Sequence, residues 1–268
     1  MSTSDFSSLN LNPNLVKNLG TLGYDTMTPI QALSLPLILE GKDLIGQGKT
    51  GSGKTAAFGL GLLHKLNVKS YKVQSIVLCP TRELADQVAS EIRKLARAIH
   101  NIKILTLCGG APFGPQIGSL EHGAHIVVCT PGRIEEHLRK KTLKLDKIQA
   151  LVLDEADEML RMGFIDDVEW ILDKTPEQRQ IALFSATMPS AIQKVASKYL
   201  KSPELVKIKT KTQTAITISQ SYLQVNGHNK LDALTRILES TDFDVVLVFV
   251  RTKTATVDLT EKLEARGY

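Results

Sequence analysis

The chain has 268 residues, 43% hydrophobic and 23% charged, an ordinary globular composition with room for one large domain or two smaller ones. A net charge of +5, from 33 basic and 28 acidic residues, with an isoelectric point near 9.0, is compatible with a polyanionic partner but does not argue for one by itself. Cys79, Cys108 and Cys129 form no C-x-x-C pair, which disfavours a zinc site or a disulfide framework. Met1–Asp5 lacks the character of a signal peptide, and no apolar run reaches membrane-spanning length. The expectation is a cytoplasmic protein with buried free thiols and no membrane contact.

Residues 6–39 read as short helices separated by turn chemistry at Asn12-Pro13, Gly20–Gly23 and Thr28-Pro29. The short apolar run Asp43–Gly46 then leads into Gly48-Lys49-Thr50-Gly51-Ser52-Gly53-Lys54-Thr55 and a helical Ala56–Leu60. Strand, glycine-rich turn, helix is the context in which G-x-x-x-x-G-K-[ST] forms a phosphate cradle. Glycines let the backbone approach a polyphosphate, and the following helix N-terminus adds partial positive charge. Lys54 can reach the β and γ phosphates and Thr55 can ligate Mg²⁺. The competing reading is a glycine-rich surface loop ahead of an ordinary helix.

Further β-rich runs follow at Ser75–Cys79, Lys103–Cys108, His125–Cys129, Ala150–Leu153 and Gln180–Phe184, alternating with amphipathic stretches such as Arg82–His100 and Gly132–Lys140. Continuous apolar runs alternating with helices predict an α/β fold, with a mostly parallel sheet covered on both faces. Each run is followed by a polar or glycine-rich segment: Pro80–Glu83, Gly109-Gly110, Thr130–Arg133, Asp154–Asp157 and Ser185–Thr187. In open α/β sheets ligands bind beyond the carboxyl ends of the strands, so these segments converge on one edge.

Asp154 and Glu155 end a buried-looking strand, where a carboxylate is costly unless paired or near a metal. With a phosphate cradle present, Asp154 suits Mg²⁺ and Glu155 suits an attacking water. An acidic helix start is the plainer alternative. The six histidines are scattered without ligand spacing. The basic run Arg139–Lys144 reads as a solvated loop. Near Val206–Thr214 the pattern breaks into a polar, basic linker. Beyond it the sequence predicts a strand at Gln220–Val225, a helix at Leu231–Leu238, a strand at Val245–Val250 and a helix at Thr254–Arg266.

Together, Thr28-Pro29-Ile30-Gln31, Gly51–Thr55, Pro80–Ala85, Gly109-Gly110, Thr130–Arg133, Asp154-Glu155-Ala156-Asp157 and Ser185-Ala186-Thr187 resemble the DEAD-box RNA helicases in order and spacing, over essentially the whole chain. Lys49–Gly51, Ala56–Leu63 and Cys108–Gly114 look most like the bacterial DbpA branch. The resemblance implies a RecA-like P-loop NTPase fold. It gives residues 1–39 an adenine-recognition segment, 40–206 an ATP-binding domain, 207–216 a linker and 217–268 the start of a second RecA-like domain. Phe249–Lys253 is similar to that domain's first motif.

Several roles follow from the resemblance alone. Gln31 would read the adenine edge, Tyr24 would stack on the base, and Phe6 would brace Tyr24. Gly51, Ser52, Gly53, Lys54 and Thr55 would hold ATP, with Thr55 and Asp154 on Mg²⁺ and with Lys54, Asp154 and Glu155 catalytic. Thr81, Arg82, Gly110, Thr130 and Arg133 would grip an RNA backbone without reading bases. Ser185 and Thr187 would bond towards Asp154 and Asp157, coupling phosphate state to RNA. Tyr24 could instead be a packing aromatic, Arg82 and Arg133 ion-pairing residues, and Ser185 and Thr187 turn hydroxyls. Gly48 and Lys49 stand where the family usually has Ala and often Gln. The family's later second-domain arginines have no counterpart here, so the expectation is a monomer that binds ATP-Mg²⁺ but hydrolyses it slowly. The alternatives are a non-catalytic RNA-binding module and a P-loop ATPase unrelated to nucleic acid.

Overall fold

The computed structural model describes residues 5–208 and 218–268, and the chain divides into two compact units, Met1–Thr210 and Lys211–Tyr268. In the first unit a short 3-10 turn at Phe6–Ser8 precedes α1 (Pro13–Thr21) and α2 (Pro29–Glu40). Alternation then begins: β1 (Leu44–Gln47), α3 (Lys54–Lys65), β2 (Ser75–Leu78), α4 (Arg82–Leu95), β3 (Ile104–Leu107) and α5 (Phe113–Glu121). It continues with β4 (Ile126–Cys129), α6 (Pro131–Arg139), β5 (Ala150–Leu153), α7 (Ala156–Arg161), α8 (Ile165–Asp173), β6 (Gln180–Ser185), α9 (Ser190–Tyr199) and β7 (Glu204–Lys207). The seven strands form one sheet in the order β3-β4-β2-β5-β6-β1-β7, with every pairing parallel.

The continuous apolar runs are explained by a sheet buried on both faces. Along β2, Val77 faces one core while Ile76 and Leu78 face the other; β5 divides Val152 from Leu151 and Leu153 in the same way. The first core is closed by α1 to α4, through residues such as Leu15, Leu35, Phe58 and Ile92. The second is closed by α6 to α9, through Ile134, Met159, Ile171 and Val195. Alternation of Cβ direction along a strand sends each run to both layers.

Register fixes where the loops emerge. Leu78 pairs with Cys129 and Leu153, and Gln47 with Ser185 and Lys207. The strand ends are therefore level, and the loops behind them share one edge. That edge has two halves: β3-β4-β2 carry residues 108–112, 130–133 and 79–82, while β5-β6-β1 carry 154–157, 185–187 and 48–55.

Two expectations are corrected. Lys207 and the Ile208 N–H, assigned to a linker, belong to the sheet: Lys207 pairs with Gln47 in β7, and Ile208 donates to the Gln47 carbonyl at 3.0 Å. The rest of that linker, 209–216, lies outside the described residues. In the second unit the two helices form, as α10 (Lys230–Ser240) and α11 (Lys253–Glu264), joined by an Arg266–Asp232 ion pair of 3.0 Å. The runs 220–225 and 245–250 make no ladder among the described residues. A strand exists only through its neighbours' N–H and C=O groups, and Tyr222 and Phe249 stand 92% and 91% exposed.

Candidate active site

The loop after β1 turns back across the sheet edge, held by the Gly48 N–H on the Ser185 carbonyl at 3.2 Å. It ends at Gly53, whose φ of +95° sets the N-cap of α3. A side chain there would collide with Gln31 Nε2 at 2.6 Å and Thr28 Oγ1 at 2.8 Å, so glycine is required on both counts. No side chain caps α3, which leaves its first N–H groups facing outward as donors for an anion. Lys54 is buried, and its ammonium donates to the loop's own Gly48 carbonyl at 3.0 Å. Ser52 Oγ is buried and has no hydrogen-bond partner.

Asp154 follows β5, anchored by its N–H on the Leu78 carbonyl at 2.9 Å. Its side chain is buried and its Oδ1 is unpartnered. Burial pushes its carboxyl up to about 6, with Glu155 adding and Lys54 opposing. A divalent cation fits here. A buried, unsatisfied carboxylate with a raised pKa is the donor such an ion stabilises. Among the described residues no group of three His, Cys, Asp or Glu could hold a metal ion. Thr55 borders the same cleft and offers a hydroxyl.

Glu155 occupies the left-handed region at φ 53°, a conformation uncommon for a non-glycine residue. Its Oε1 accepts from the Thr50 hydroxyl at 2.9 Å. Asp157 is fixed differently. Its Oδ2 accepts from Thr187 N–H at 2.9 Å and Thr187 Oγ1 at 2.7 Å, and its own N–H donates to Ser185 Oγ at 3.2 Å. Burial raises the Asp157 carboxyl, but the bonds from Thr187 and Ser185 outweigh it and hold the group below its ordinary value. Ser185 and Thr187 thus engage Asp157. The expected bond towards Asp154 is not made, because the Ser185 hydroxyl donates to the Thr187 carbonyl at 2.7 Å.

The remaining wall comes from α2 and α4. Thr28 and Gln31 form a capping box: Thr28 N–H donates to Gln31 Oε1 at 2.8 Å. Both side chains also grip the phosphate loop, Thr28 Oγ1 on the Ser52 carbonyl at 2.8 Å and Gln31 Nε2 on the Gly53 carbonyl at 3.1 Å. The Gln31 amide keeps one further hydrogen and one further lone pair for a ligand. Tyr24 donates its hydroxyl to Glu91 on α4, and its pKa rises to about 12 through burial and that carboxylate. Phe6, buried, meets the Tyr24 ring edge-on at 6.3 Å. The resulting cleft, about 470 Å³, is bordered by Tyr24, Gln31, Lys54, Thr55, Asp154 and Glu155.

The other half of the edge is more tightly bonded. Thr81 caps α4, accepting from Leu84 N–H at 3.2 Å. Arg82 is exposed, and its Nη1 lies 3.0 Å from where a Cβ on Gly110 (φ +78°) would sit. Among the described residues Arg82 makes no hydrogen bond or ion pair. Thr130 N–H donates to the Leu107 carbonyl at 3.2 Å. Arg133 is largely enclosed: it donates to the Ala111 carbonyl and Gln116 at 3.0 Å and pairs with Glu136 at 3.2 Å. Its partners include an acidic neighbour, as the ion-pairing alternative requires, but chiefly a carbonyl and an amide. Glu91 and Gln116 also take part at this edge, although no motif of the sequence points to them, and Thr50 does so from a variable position of the Gly48–Thr55 motif. Only the Thr28-x-x-Gln31 box has a legible local signal.

Comparison with known proteins agrees with this geometry. The family described as DEAD/DEAH box helicase matches residues 28–195. The chain is 50% identical over 265 residues to the ATP-dependent RNA helicase DeaD of Buchnera aphidicola, covering 99% of this chain and 44% of that protein. It is 48% identical over 263 residues to the ATP-dependent RNA helicase CshA of Listeria monocytogenes, covering 98% of this chain and 50% of that one. The chain thus spans about half the length of these relatives. A crystal structure of a DEAD box protein from the hyperthermophile Methanococcus jannaschii superposes with a TM-score of 0.75 at 42% identity, over 98% of this chain and 71% of that one.

Proposed function

The chain belongs to the DEAD/DEAH box helicase family, and we propose that it works as the nucleotide-binding part of an ATP-dependent RNA helicase, holding ATP with Mg²⁺ in the cleft and an RNA backbone on the adjoining loops. The observation that carries this reading is the meeting of Lys54, Thr55, Asp154 and Glu155 at one cleft, although the chain separates them by about a hundred positions. The α3 N-terminus and Lys54 take the β and γ phosphates. To do so the Lys54 ammonium exchanges the Gly48 carbonyl for phosphate oxygens, a stronger charge-assisted bond. Thr55 and Asp154 would hold Mg²⁺, which supplies charge neutralisation on the phosphates when bound. Glu155, steadied by Thr50, accepts a proton from water as the water oxygen attacks the γ phosphorus and the bond to the β-γ bridging oxygen breaks. Tyr24 and Gln31 take the adenine, with Phe6 behind Tyr24.

On the other half, Thr81, Arg82, Gly110 and Thr130 present hydroxyl, guanidinium and backbone N–H groups suited to phosphodiesters. Such contacts are sequence-independent and salt-sensitive. Asp157, Ser185 and Thr187 join the acidic segment to the loop after β6 and so link nucleotide to RNA. A monomeric, cytoplasmic setting completes the proposal, as does a DbpA-like branch within the family, supported by Lys49–Gly51 and Cys108–Gly114.

Binding of a fluorescent ATP analogue and of labelled single-stranded RNA, measured separately, tests the reading. Lys54→Ala should weaken nucleotide binding about 10- to 100-fold, the worth of hydrogen bonds to a charged group, and leave nucleotide-free RNA binding unchanged. Unaltered nucleotide affinity would sink the assignment. Turnover with and without RNA separates an active ATPase from a non-catalytic nucleotide-dependent RNA binder.

A further inference from the structure

Gln116 lies on α5, outside every motif of the sequence, yet its amide is where three elements meet. Its Nε2 donates to the Cys108 carbonyl at the end of β3, 3.1 Å away. Its Oε1 accepts from Arg133 Nη1 on α6 at 3.0 Å and faces His137 Nε2, also at 3.0 Å. The Arg133 guanidinium carries the connection onward, reaching the Ala111 carbonyl through both Nη atoms at 3.0 Å. Phe113 closes the group, stacked on the His137 ring at 4.3 Å and lying under the Arg133 guanidinium at 5.5 Å. Gln116 and His137 are both buried.

The Gln116 amide oxygen can take two donors. The other ring nitrogen of His137, Nδ1, stands 2.8 Å from the Thr142 hydroxyl, which donates its proton to the His137 carbonyl at 3.1 Å. Burial and the neighbouring Arg133 cation hold the His137 pKa down to about 4.

β3 and β4 are neighbours in the sheet, so these bonds tie residues 108–111 to the first turns of α6. The same segments carry Gly110 and Thr130. We infer that Gln116 is a positioning residue for RNA: it locks the Gly110 loop and the α6 N-terminus into one preformed phosphate-facing surface, and Arg133 serves that lock from within instead of reaching the RNA. This rests on the RNA-binding reading above. The physical reason is preorganisation. A loop already held in its bound shape loses less entropy when the strand arrives. Removing the amide leaves a guanidinium N–H, an imidazole nitrogen and a carbonyl without that partner in a buried place.

Two variants and two readouts test it. Gln116→Met keeps volume but has no amide; Gln116→Glu keeps the acceptor for Arg133 and His137 but loses the donor to the Cys108 carbonyl. Amide hydrogen exchange in the RNA-free chain reads the lock directly across residues 109–111 and 132–134. Anisotropy of a labelled single-stranded RNA reads its consequence. Gln116→Met should raise exchange in both segments and weaken RNA binding by about tenfold or more, the cost of unsatisfied buried groups. Its affinity for a fluorescent ADP should stay within about twofold, and Gln116→Glu should fall between Gln116→Met and wild type for RNA, since it keeps two of the three bonds. Wild-type exchange and RNA affinity in Gln116→Met overturn the inference, as does parallel loss of nucleotide binding, which marks general damage. If Gln116→Met does not fold, Arg133→Lys substitutes, since it keeps charge but loses the two-pronged grip on Ala111. Unchanged exchange at 109–111 in that variant overturns the lock equally. A wild-type chain without RNA affinity would defeat the RNA reading, while the exchange result would still decide whether Gln116 holds the two segments.

Discussion

The two halves of the sheet's edge solve opposite problems. Behind β5, β6 and β1 the protein leaves polar groups unsatisfied: Asp154 Oδ1 and Ser52 Oγ are buried without partners, and Lys54 rests on its own loop. Behind β3, β4 and β2 the enclosed polar groups are bonded to one another around Gln116, and Arg82, without a partner among the described residues, lies at the surface. On the proposed function, the half that gains a metal and a triphosphate holds unmet demand, whereas the half that meets a regular backbone is shaped in advance. Unsatisfied buried groups are expensive, so the first half should be the less stable one until its ligand arrives.

Asp154→Asn puts that cost to the largest test. The Asp154 pKa is raised to about 6 from 3.8, so the folded state binds more protons than the unfolded one between those values. Its favourable contribution is complete below pH 3.8 and lost as pH rises through about 6. The variant should therefore unfold later than wild type at pH 8, by at most roughly 3 kcal/mol, with the gain vanishing near pH 4. It should also lose Mg²⁺-dependent nucleotide binding. Denaturant titrations at the two pH values decide it, and a variant less stable at pH 8 would break the comparison.

Thr187→Val removes the hydroxyl bond to Asp157, the largest of the bonds that lower that carboxylate's pKa, and leaves the backbone N–H and the Ser185 contact in place. A loss of about 1–2 kcal/mol is expected, measured as a lower unfolding midpoint, with the deficit shrinking as acid protonates Asp157 in both proteins. Arg82→Ala should leave stability alone, weaken RNA binding about three- to tenfold, and reduce the salt dependence by roughly one counterion. Titrations at several salt concentrations check this; an unchanged slope would mean that Arg82 touches no phosphate. His137 differs from Asp154 in the sign of its shift. Its folded pKa near 4 lies below the unfolded 6.5, so its contribution is complete above pH 6.5 and declines as pH falls towards 4. His137→Gln should flatten that part of the pH–stability curve.

Much of this architecture is legible in the residues alone. The runs that form β1 to β6 are mostly apolar because both faces of the sheet are covered, and the motif loops mark where each one ends. β7 is not legible. As an edge strand it buries only Val206 of Glu204–Lys207, so its sequence reads as polar linker. Val245–Val250 errs the other way: its composition favours a strand, but strand formation depends on partners that composition does not encode. For the site, residue types disclose the cleft, since phosphate and metal chemistry demand Lys, Thr and Asp at set positions. They do not disclose that Arg133 faces inward while Arg82 faces outward, because a guanidinium suits a carbonyl as well as a phosphate.

One junction ties together the loops behind β5, β6 and β1. β6 lies between β5 and β1, and its terminal segment is gripped on both flanks: the Ser185 carbonyl by Gly48, the Ala186 carbonyl by Gln47 at 3.2 Å, and Thr187 by Asp157. Residues 185–187 therefore hold the glycine-rich loop and the acidic segment to a single strand end. Three small residues form the shared footing of both loops, so loosening that footing should free the two together.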